Sequence, residues 1–162
     1  MIRQFVSSDF CLACKGCCRF TEAGSCWSPN LTDVDIAQLM QYGVPPSTIT
    51  AEKRLRLIPD AASEAFLCPC LDKQSARCKA YASRPLECQL YPFLINRQGK
   101  EVFLAVDVHC PYIEKHGLGK EFESYVAYLC AGQGGPGLSS LIRQYPQLIQ
   151  EYEGAANLTK IL

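Results

Sequence analysis

Residues 11–18 read CLACKGCC, and residues 67–88 read LCPCLDKQSARCKAYASRPLEC, so eight cysteines fall into two short segments. Thiols this close together compete for partners, which makes the spacing unusual for a disulfide framework. The 162-residue chain has 11 cysteines, and this odd number excludes complete internal pairing. In a reducing compartment such thiols stay free or bind metal. The pattern predicts metal binding, with thiol redox chemistry and plain core packing as alternatives.

The first segment has the spacing of a metal knuckle. Three cysteines follow the pattern C-x2-C-x2-C, namely Cys11, Cys14 and Cys17. Iron–sulfur proteins use this spacing for three corners of a cubane cluster, and a remote cysteine followed by proline often supplies the fourth. Two such cysteine–proline pairs occur, Cys68-Pro69 and Cys110-Pro111. Because C-x2-C is also the knuckle of structural zinc sites, spacing alone does not separate the metals.

The remaining cysteines of the two segments are less constrained by spacing. Adjacent side chains diverge, so we expect Cys17 and Cys18 not to bind one ion together. Cys18 either serves a second centre or faces the core. Cys78 and Cys88 lie on an extended piece and in a short helix, which a tertiary fold can bring to Cys68. Cys88 is near the start of its helix, where free N–H groups and the dipole favour a thiolate.

A compound motif carries a resemblance to a known family. Residues 11–18 form a CxxCxxCC knuckle, and residues 68–71 match C-P-x-L. Residues 78–92 match C-x-x-Y-x-x-R-P-x-x-C-x-x-Y-P. Over about residues 10–120 the chain therefore resembles the CxxCxxCC family of zinc- or iron-chelating proteins, often called YkgJ-like. Two positions depart from the family pattern: Cys70 stands where an aromatic residue is more usual, and Gln89 where a basic residue is common.

The resemblance implies a metal-chelating role, and some larger relatives, the flagellin lysine methylases, are associated with iron–sulfur chemistry. The positions that match give the expected metal ligands, Cys11, Cys14, Cys17, Cys18, Cys68, Cys78, Cys88 and Cys110. These eight thiols can form two four-cysteine sites, or one cluster with spare thiols. Cys70 is either an extra ligand or an apolar filler. We expect Cys26 and Cys130 to be core residues, since Cys130 continues the apolar face of a helix.

Three further side chains near the cysteines have candidate roles. Arg84 either binds near the cofactor and offsets thiolate charge, or makes an ion pair or a contact at the helix start. Tyr81 and Tyr91 are predicted to shield the site by packing.

Local patterns predict an α+β fold, a single small domain of short helices with a small antiparallel sheet and long metal-ligand loops. Thr32 is a good N-cap for a helix with Ile36, Leu39 and Met40 as its apolar stripe and Gly43 at its end. A second helix is predicted to run from the prolines at 45–46 to about Ile58. Extended pieces at 65–71 and 77–81 are joined by a polar turn, and a short helix follows in 83–93.

The second half of the chain has a strand signal and two helix signals. Residues 101–110 alternate Val102, Leu104, Val106 and Val108, as a strand does. A helix is predicted for residues 120–130, a loop or linker for 132–137, and a helix interrupted at Pro146 for the end. We expect residues 1–162 to be one domain, with a metal-binding core at about 10–120 and a helical segment at 120–162.

Composition narrows the function classes. The 16 basic and 16 acidic residues balance, which disfavours a nucleic acid partner. No segment approaches the roughly 20 apolar residues of a membrane span. The start has no secretory signal, so we expect a cytoplasmic protein.

We favour an iron–sulfur cluster of the 4Fe–4S type, with a redox or modification-linked role. The alternatives are a zinc-binding structural or interaction module, and a thiol redox or metal-trafficking protein that uses Cys17 and Cys18. No dinucleotide or methyl-donor motif is present, so the sequence leaves open whether the protein is an enzyme and which protein it contacts.

Overall fold

The computed structural model describes residues 2–14, 16–131 and 137–162, and the chain has the α+β fold that its sequence predicts. The helices are α1 Ser8–Cys14, α2 Asp33–Gln41, α3 Leu86–Leu90, α4 Pro111–His116, α5 Lys120–Cys130 and α6 Leu138–Gln144. Short 3-10 helices span Gly16–Cys18, Pro46–Thr48, Tyr81–Ser83 and Pro146–Leu148. None of the helices in these ranges combines the length and apolar composition that a membrane span requires.

The described strands form two antiparallel three-stranded sheets, where the sequence predicts one. The first sheet has the order β1-β3-β2, with β1 Arg19–Phe20, β2 Ile58–Pro59 and β3 Phe66–Leu67. The second sheet has the order β4-β5-β6, with β4 Phe93–Gln98, β5 Glu101–Val106 and β6 Ala156–Lys160. The first sheet consists of two-residue strands, so its position depends on side-chain packing more than on its ladder.

The chain divides into two compact units. The amino-terminal unit is Ser8–Cys88, and the second unit combines Met1–Ser7 with Gln89–Leu162. Of the predicted site residues, seven cysteines and Arg84 lie in the amino-terminal unit, whereas Cys110 lies in the second. That residues 1–162 behave as a single domain stays a prediction.

Helix α2 begins and ends as its sequence predicts. The Oγ1 of Thr32 accepts a hydrogen bond from the backbone N–H of Asp35, and the Asp35 carboxylate accepts one from the N–H of Thr32, which is a complete capping box. Gly43 follows with a φ of 78°, the left-handed conformation that favours glycine. Leu39 is fully buried, but Met40 is 47% exposed. The prediction for Met40 is wrong because it lies about 100° around the helix from Leu39.

The helix predicted up to Ile58 does not form. After the 3-10 helix Pro46–Thr48 the chain doubles back at a turn at 51–53, so that Ile49 pairs with Leu55, and Leu55 and Leu57 are buried on either side of the exposed Arg56. The N–H of Leu31 donates to the carbonyl of Lys53 at 2.8 Å. This alternation is the period of a strand, and burial of two leucines outweighs the helix propensity of the surrounding polar residues.

The cysteine-bearing segment from 64 to 81 is extended only in part: β3 and the bridge at Cys78 confirm the predicted extended pieces, whereas residues 68–71 form a turn and Tyr81 begins a 3-10 helix. Strand β3 is followed by a bridge between Leu71 and Cys78, which closes the polar turn at 72–76. In that turn the Asp72 carboxylate accepts hydrogen bonds from the N–H and Oγ of Ser75. The Asx-type turn therefore holds Cys78 opposite Leu71.

The second unit is built around the β4–β5 hairpin and helix α5. Phe93 pairs with Val106, and both side chains are buried with Leu104 in the core. Helix α5 buries Phe122 and Leu129, together with Tyr125, on the face that its sequence predicts. The predicted strand is confirmed as β5 but stops at Val106, so Val108 lies outside it.

The last segment is only partly helical. Helix α6 stops at Gln144, before Pro146, as the proline predicts. The chain then forms β6, which pairs with β5 and was not predicted. Residues 132–136 of the predicted loop lie outside the described residues.

The capping box gives a first test. We expect Thr32→Ala to lower the free energy of unfolding by about 1–2 kcal/mol, because the N–H of Asp35 loses its acceptor. The measurement is the midpoint of urea unfolding at unchanged slope. Thr21→Ala, at an exposed position of the same unit, is the control. Equal midpoints for the two variants would mean that the cap contributes nothing.

Candidate metal centre

The first four cysteines lie on a helix and a tight turn, where the spacing had suggested a loop. Cys11 and Cys14 are three residues apart on α1, so their side chains share one face. Cys17 and Cys18 end the 3-10 helix Gly16–Cys18. Cys17 is exposed, and the other three are half-buried. The segment thus keeps its thiols close together through local backbone geometry.

Strand pairing brings the second cysteine segment to the first. β1 directly follows Cys18, and its Arg19 pairs with Leu67 of β3. The backbone N–H of Cys68 donates to the carbonyl of Cys18 at an N···O distance of 3.0 Å. Residues from the two segments therefore lie side by side within one unit.

Residues 68–71 form a turn with a cysteine at two of its positions. The N–H of Leu71 donates to the carbonyl of Cys68 at 3.0 Å. Pro69 occupies the second position of this turn, where the proline ring sets the φ angle that the turn needs. The side chains of Cys68 and Cys70 are only 7% and 3% exposed. A hydrogen bond between the two thiols raises the pKa of Cys68 well above its ordinary value and lowers the pKa of Cys70.

Cys78 packs beside this turn. Its neighbour Lys79 donates its backbone N–H to the carbonyl of Cys70 at 2.8 Å. Burial raises the pKa of Cys78 to about 11, and the thiols of Cys70, Cys17 and Cys11 contribute to the shift. Cys78 therefore faces thiols from both sequence segments.

Cys88 is positioned by the anchoring of α3. Glu87 accepts hydrogen bonds from the backbone N–H and the Nδ2 of Asn30, at 2.7 and 3.0 Å. The N–H of Leu86 donates to Oδ1 of Asp35 at 3.0 Å. Burial, followed by the thiols of Cys17 and Cys78, holds the pKa of Cys88 well above its ordinary value. The helix start therefore does not favour a thiolate here, contrary to expectation, because burial dominates.

A hydrogen bond between the side chains of Cys17 and Cys18 is the largest reason that the pKa of Cys17 is well raised. The two thiols therefore lie closer together than the expected divergence of adjacent side chains implies, and whether they bind one ion stays a prediction. Cys18 also packs against the core cluster and acts electrostatically on Cys68.

Arg84 and Tyr81 lie at the thiols of the first segment. The Arg84 guanidinium stacks over the Tyr81 ring, with 4.2 Å between its Cζ and the ring centroid. Burial raises the pKa of Cys11 and the Cys17 thiol adds to this, whereas the Arg84 charge and a hydrogen bond with Tyr81 lower it. The Arg84 charge thus favours the thiolate form of Cys11, and its role at a bound cofactor stays a prediction. Tyr81, expected only to pack, also contacts a thiol through its hydroxyl.

Cys110 belongs to the second unit and is 3% exposed. It precedes α4, and burial raises its pKa, opposed by the N–H groups of Ile113 and Tyr112 and by the Tyr91 hydroxyl. The Tyr91 hydroxyl also donates to the Asp107 carboxylate at 2.7 Å. Tyr91 therefore makes polar contacts beyond the packing that its sequence position predicts. Whether Cys110 is a metal ligand stays a prediction.

The two cysteines predicted to be core residues are less buried than expected. Cys26 is half-buried, and Cys130 is exposed. Cys130 ends α5 one position beyond the buried Leu129, so it leaves the apolar face. The prediction for Cys130 is therefore wrong.

The donor set fits a thiolate-bound metal. Cysteine sulfur suits both Zn²⁺ and iron–sulfur clusters. Within residues 2–14, 16–131 and 137–162, no group of three or more His, Cys, Asp or Glu side chains is arranged so that it could hold a metal ion. Thiols instead hydrogen-bond in pairs, Cys17 with Cys18 and Cys68 with Cys70. Since metal binding removes thiol protons, it would exchange these bonds for metal–sulfur bonds.

Comparison with known proteins agrees with this chemistry. A family model described as "CxxCxxCC: Putative zinc- or iron-chelating domain" matches residues 10–111. The chain belongs to this family. The resemblance carried by the compound motif is confirmed, and membership supports metal binding without choosing between zinc and iron.

One relative extends the comparison. The "Uncharacterized protein MJ0661" of Methanocaldococcus jannaschii is 26% identical over 102 residues, which cover 60% of this chain and 52% of that protein. The chain thus spans about half the length of this curated relative. No solved structure matches the chain.

The sequence alone left two groups at the thiols incompletely assigned: it predicts only packing for Tyr81, and it leaves Cys70 as either an extra ligand or an apolar filler. The Tyr81 hydroxyl contacts Cys11, and Cys70 is buried beside Cys68. For Cys70 a signal existed, since Cys-Pro-Cys places two thiols in one turn. For Tyr81 no signal existed, because a tyrosine in a sequence motif does not indicate whether its hydroxyl makes a hydrogen bond.

The anchoring of α3 gives a second test. We expect Glu87→Ala to lower the free energy of unfolding by about 1.5–3 kcal/mol, because hydrogen bonds to a charged group are lost and Asn30 keeps unsatisfied donors. Urea unfolding measures the change. Glu64→Ala, at an exposed position of the same unit, is the control. A loss no larger than that of the control would show that Glu87 does not anchor α3.

Proposed function

We propose that this protein holds an iron–sulfur cluster of the 4Fe–4S type through cysteine thiolates and serves in a redox or modification-linked role. The observation that carries the proposal is the backbone hydrogen bond from Cys68 to Cys18. It sets the C-x2-C-x2-C segment beside a cysteine that is followed by proline, the combination of ligands that cubane clusters use.

The spacing assigns the ligands of that cluster. Cys11, Cys14 and Cys17 supply three corners, and Cys68 supplies the fourth. Such a cluster, once bound, supplies one-electron redox chemistry. The proposed ligand set as a whole is Cys11, Cys14, Cys17, Cys18, Cys68, Cys78, Cys88 and Cys110.

Arg84 has a supporting role in this proposal. Four thiolates concentrate negative charge in a partly buried region, and a fixed cation nearby lowers the free energy needed to keep them in the charged form. Arg84 acts electrostatically on both Cys11 and Cys17, and stacking on Tyr81 holds its guanidinium in place. Arginine suits this position because it stays charged at all physiological pH values.

A zinc-binding structural module is the second candidate. The amino-terminal unit has strands of only two residues, and α2, its longest helix, has nine. Elements this short contribute little stability of their own, so a bound metal would contribute folding energy. All-sulfur coordination is common in structural zinc sites.

A thiol redox or metal-trafficking role for Cys17 and Cys18 is less well supported. Such a role requires exposed thiols of low pKa. Cys17 is exposed, but its hydrogen bond with Cys18 raises its pKa well above the ordinary value. The pair therefore lacks the low pKa that this role requires.

The cellular setting is also a proposal. All 11 cysteines are free thiols, which suits a reducing compartment such as the cytoplasm. Balanced charge argues for partners other than nucleic acid.

Metal analysis tests the proposed function. The chain is purified without oxygen, and iron, acid-labile sulfide and zinc are measured together with the visible spectrum. We expect brown protein with iron and sulfide in equal amounts. Colourless protein with stoichiometric zinc would support the second candidate, and protein that takes up neither metal would overturn both.

Substitution of a knuckle cysteine tests the ligands. We expect Cys14→Ala to abolish the metal centre that the C-x2-C-x2-C segment holds, because it removes one corner of that centre. Cys130→Ala is the matched control, since this thiol is exposed on α5 in the other unit. Full metal retention in Cys14→Ala would show that the proposed ligand set is wrong.

Arg84 gives a further prediction. We expect Arg84→Gln to weaken metal retention against a chelator by about tenfold or more, in the range seen when groups that support metal ligands are removed. Arg84→Lys keeps the charge and should recover part of the loss. Arg77→Gln, at an exposed position nearby in sequence, is the control. Equal retention in Arg84→Gln and Arg77→Gln would exclude a role for the guanidinium.

A further inference from the structure

Cys70 stands apart from the family pattern, yet its thiol lies among the other thiols. It is 3% exposed and belongs to the core cluster that also contains Cys68. Cys18 and Cys78 are partly buried and pack against the same cluster. Thiols from both sequence segments therefore border the apolar cluster that contains Cys70.

The backbone fixes this placement. Cys68 and Cys70 share the turn that the N–H of Leu71 closes on the carbonyl of Cys68. The carbonyl of Cys70 accepts the N–H of Lys79, which follows Cys78 directly. Cys70 is thus held between a cysteine in its own turn and one on the neighbouring extended segment.

We propose that Cys70 is a metal ligand, so that the amino-terminal unit alone provides eight thiolates, enough for two four-thiolate centres. The inference rests on the proposed function, since it presumes that the thiols bind metal. The eight are Cys11, Cys14, Cys17, Cys18, Cys68, Cys70, Cys78 and Cys88. Both zinc and cubane clusters take four thiolates for each centre.

Metal content of variants tests the assignment. We expect Cys70→Ser to bind about half the metal of the unsubstituted chain, because one of two centres loses a ligand. Cys70→Val preserves apolar packing and should lose the same amount. Cys26→Ser, a half-buried cysteine of the same unit, should keep full content. Full content in Cys70→Ser or Cys70→Val would overturn the inference.

A measurement on the unsubstituted chain covers variants that do not fold. The protein is loaded with cadmium-113, and proton–cadmium correlation spectra identify each cysteine whose β protons couple to the metal. We expect correlations from Cys70 as well as from Cys11 and Cys14. Correlations from Cys11 and Cys14 without Cys70 would overturn this inference alone. If no cysteine shows a correlation, the proposed function fails and the inference fails with it.

Discussion

The antiparallel pairing of β1 with β3 is the contact on which the amino-terminal unit depends. It is only two residues long on each strand, yet it buries Phe20 and Leu67 and joins the backbone of Cys18 to that of Cys68. A ladder this short has little stability by itself, so burial of the flanking apolar side chains must hold it. The two cysteine segments meet because this small core forms.

A single buried carboxylate couples that core to the helix of the Arg-Pro motif. Asp35 is 4% exposed, and its Oδ2 accepts from the N–H and Oγ1 of Thr32 while Oδ1 accepts from the N–H of Leu86. A buried charge is tolerated only when its hydrogen bonds are complete. The same group therefore caps α2 and positions α3, which carries Cys88.

Collecting thiols in one partly buried region sets the electrostatic character of the site. Burial and neighbouring thiols raise the pKa of Cys11, Cys78 and Cys88, so neutral thiols can pack together at low cost. A metal centre changes this balance, since its positive charge stabilises thiolates directly. Arg84 works in the same direction at Cys11. The site is thus compatible with folding before metal arrives and with thiolate ligation afterwards.

The sequence by itself determined the family, the α+β class and elements with strong local signals, such as the capped helix α2 and the face of α5. Only the tertiary structure decided the hairpin that pairs Ile49 with Leu55, the strand β6 and the burial of Cys70. The reason is physical: a cap or a helical stripe depends on residues within one or two turns. A strand partner or a thiol neighbour depends on packing between segments far apart in the chain, which no local pattern encodes.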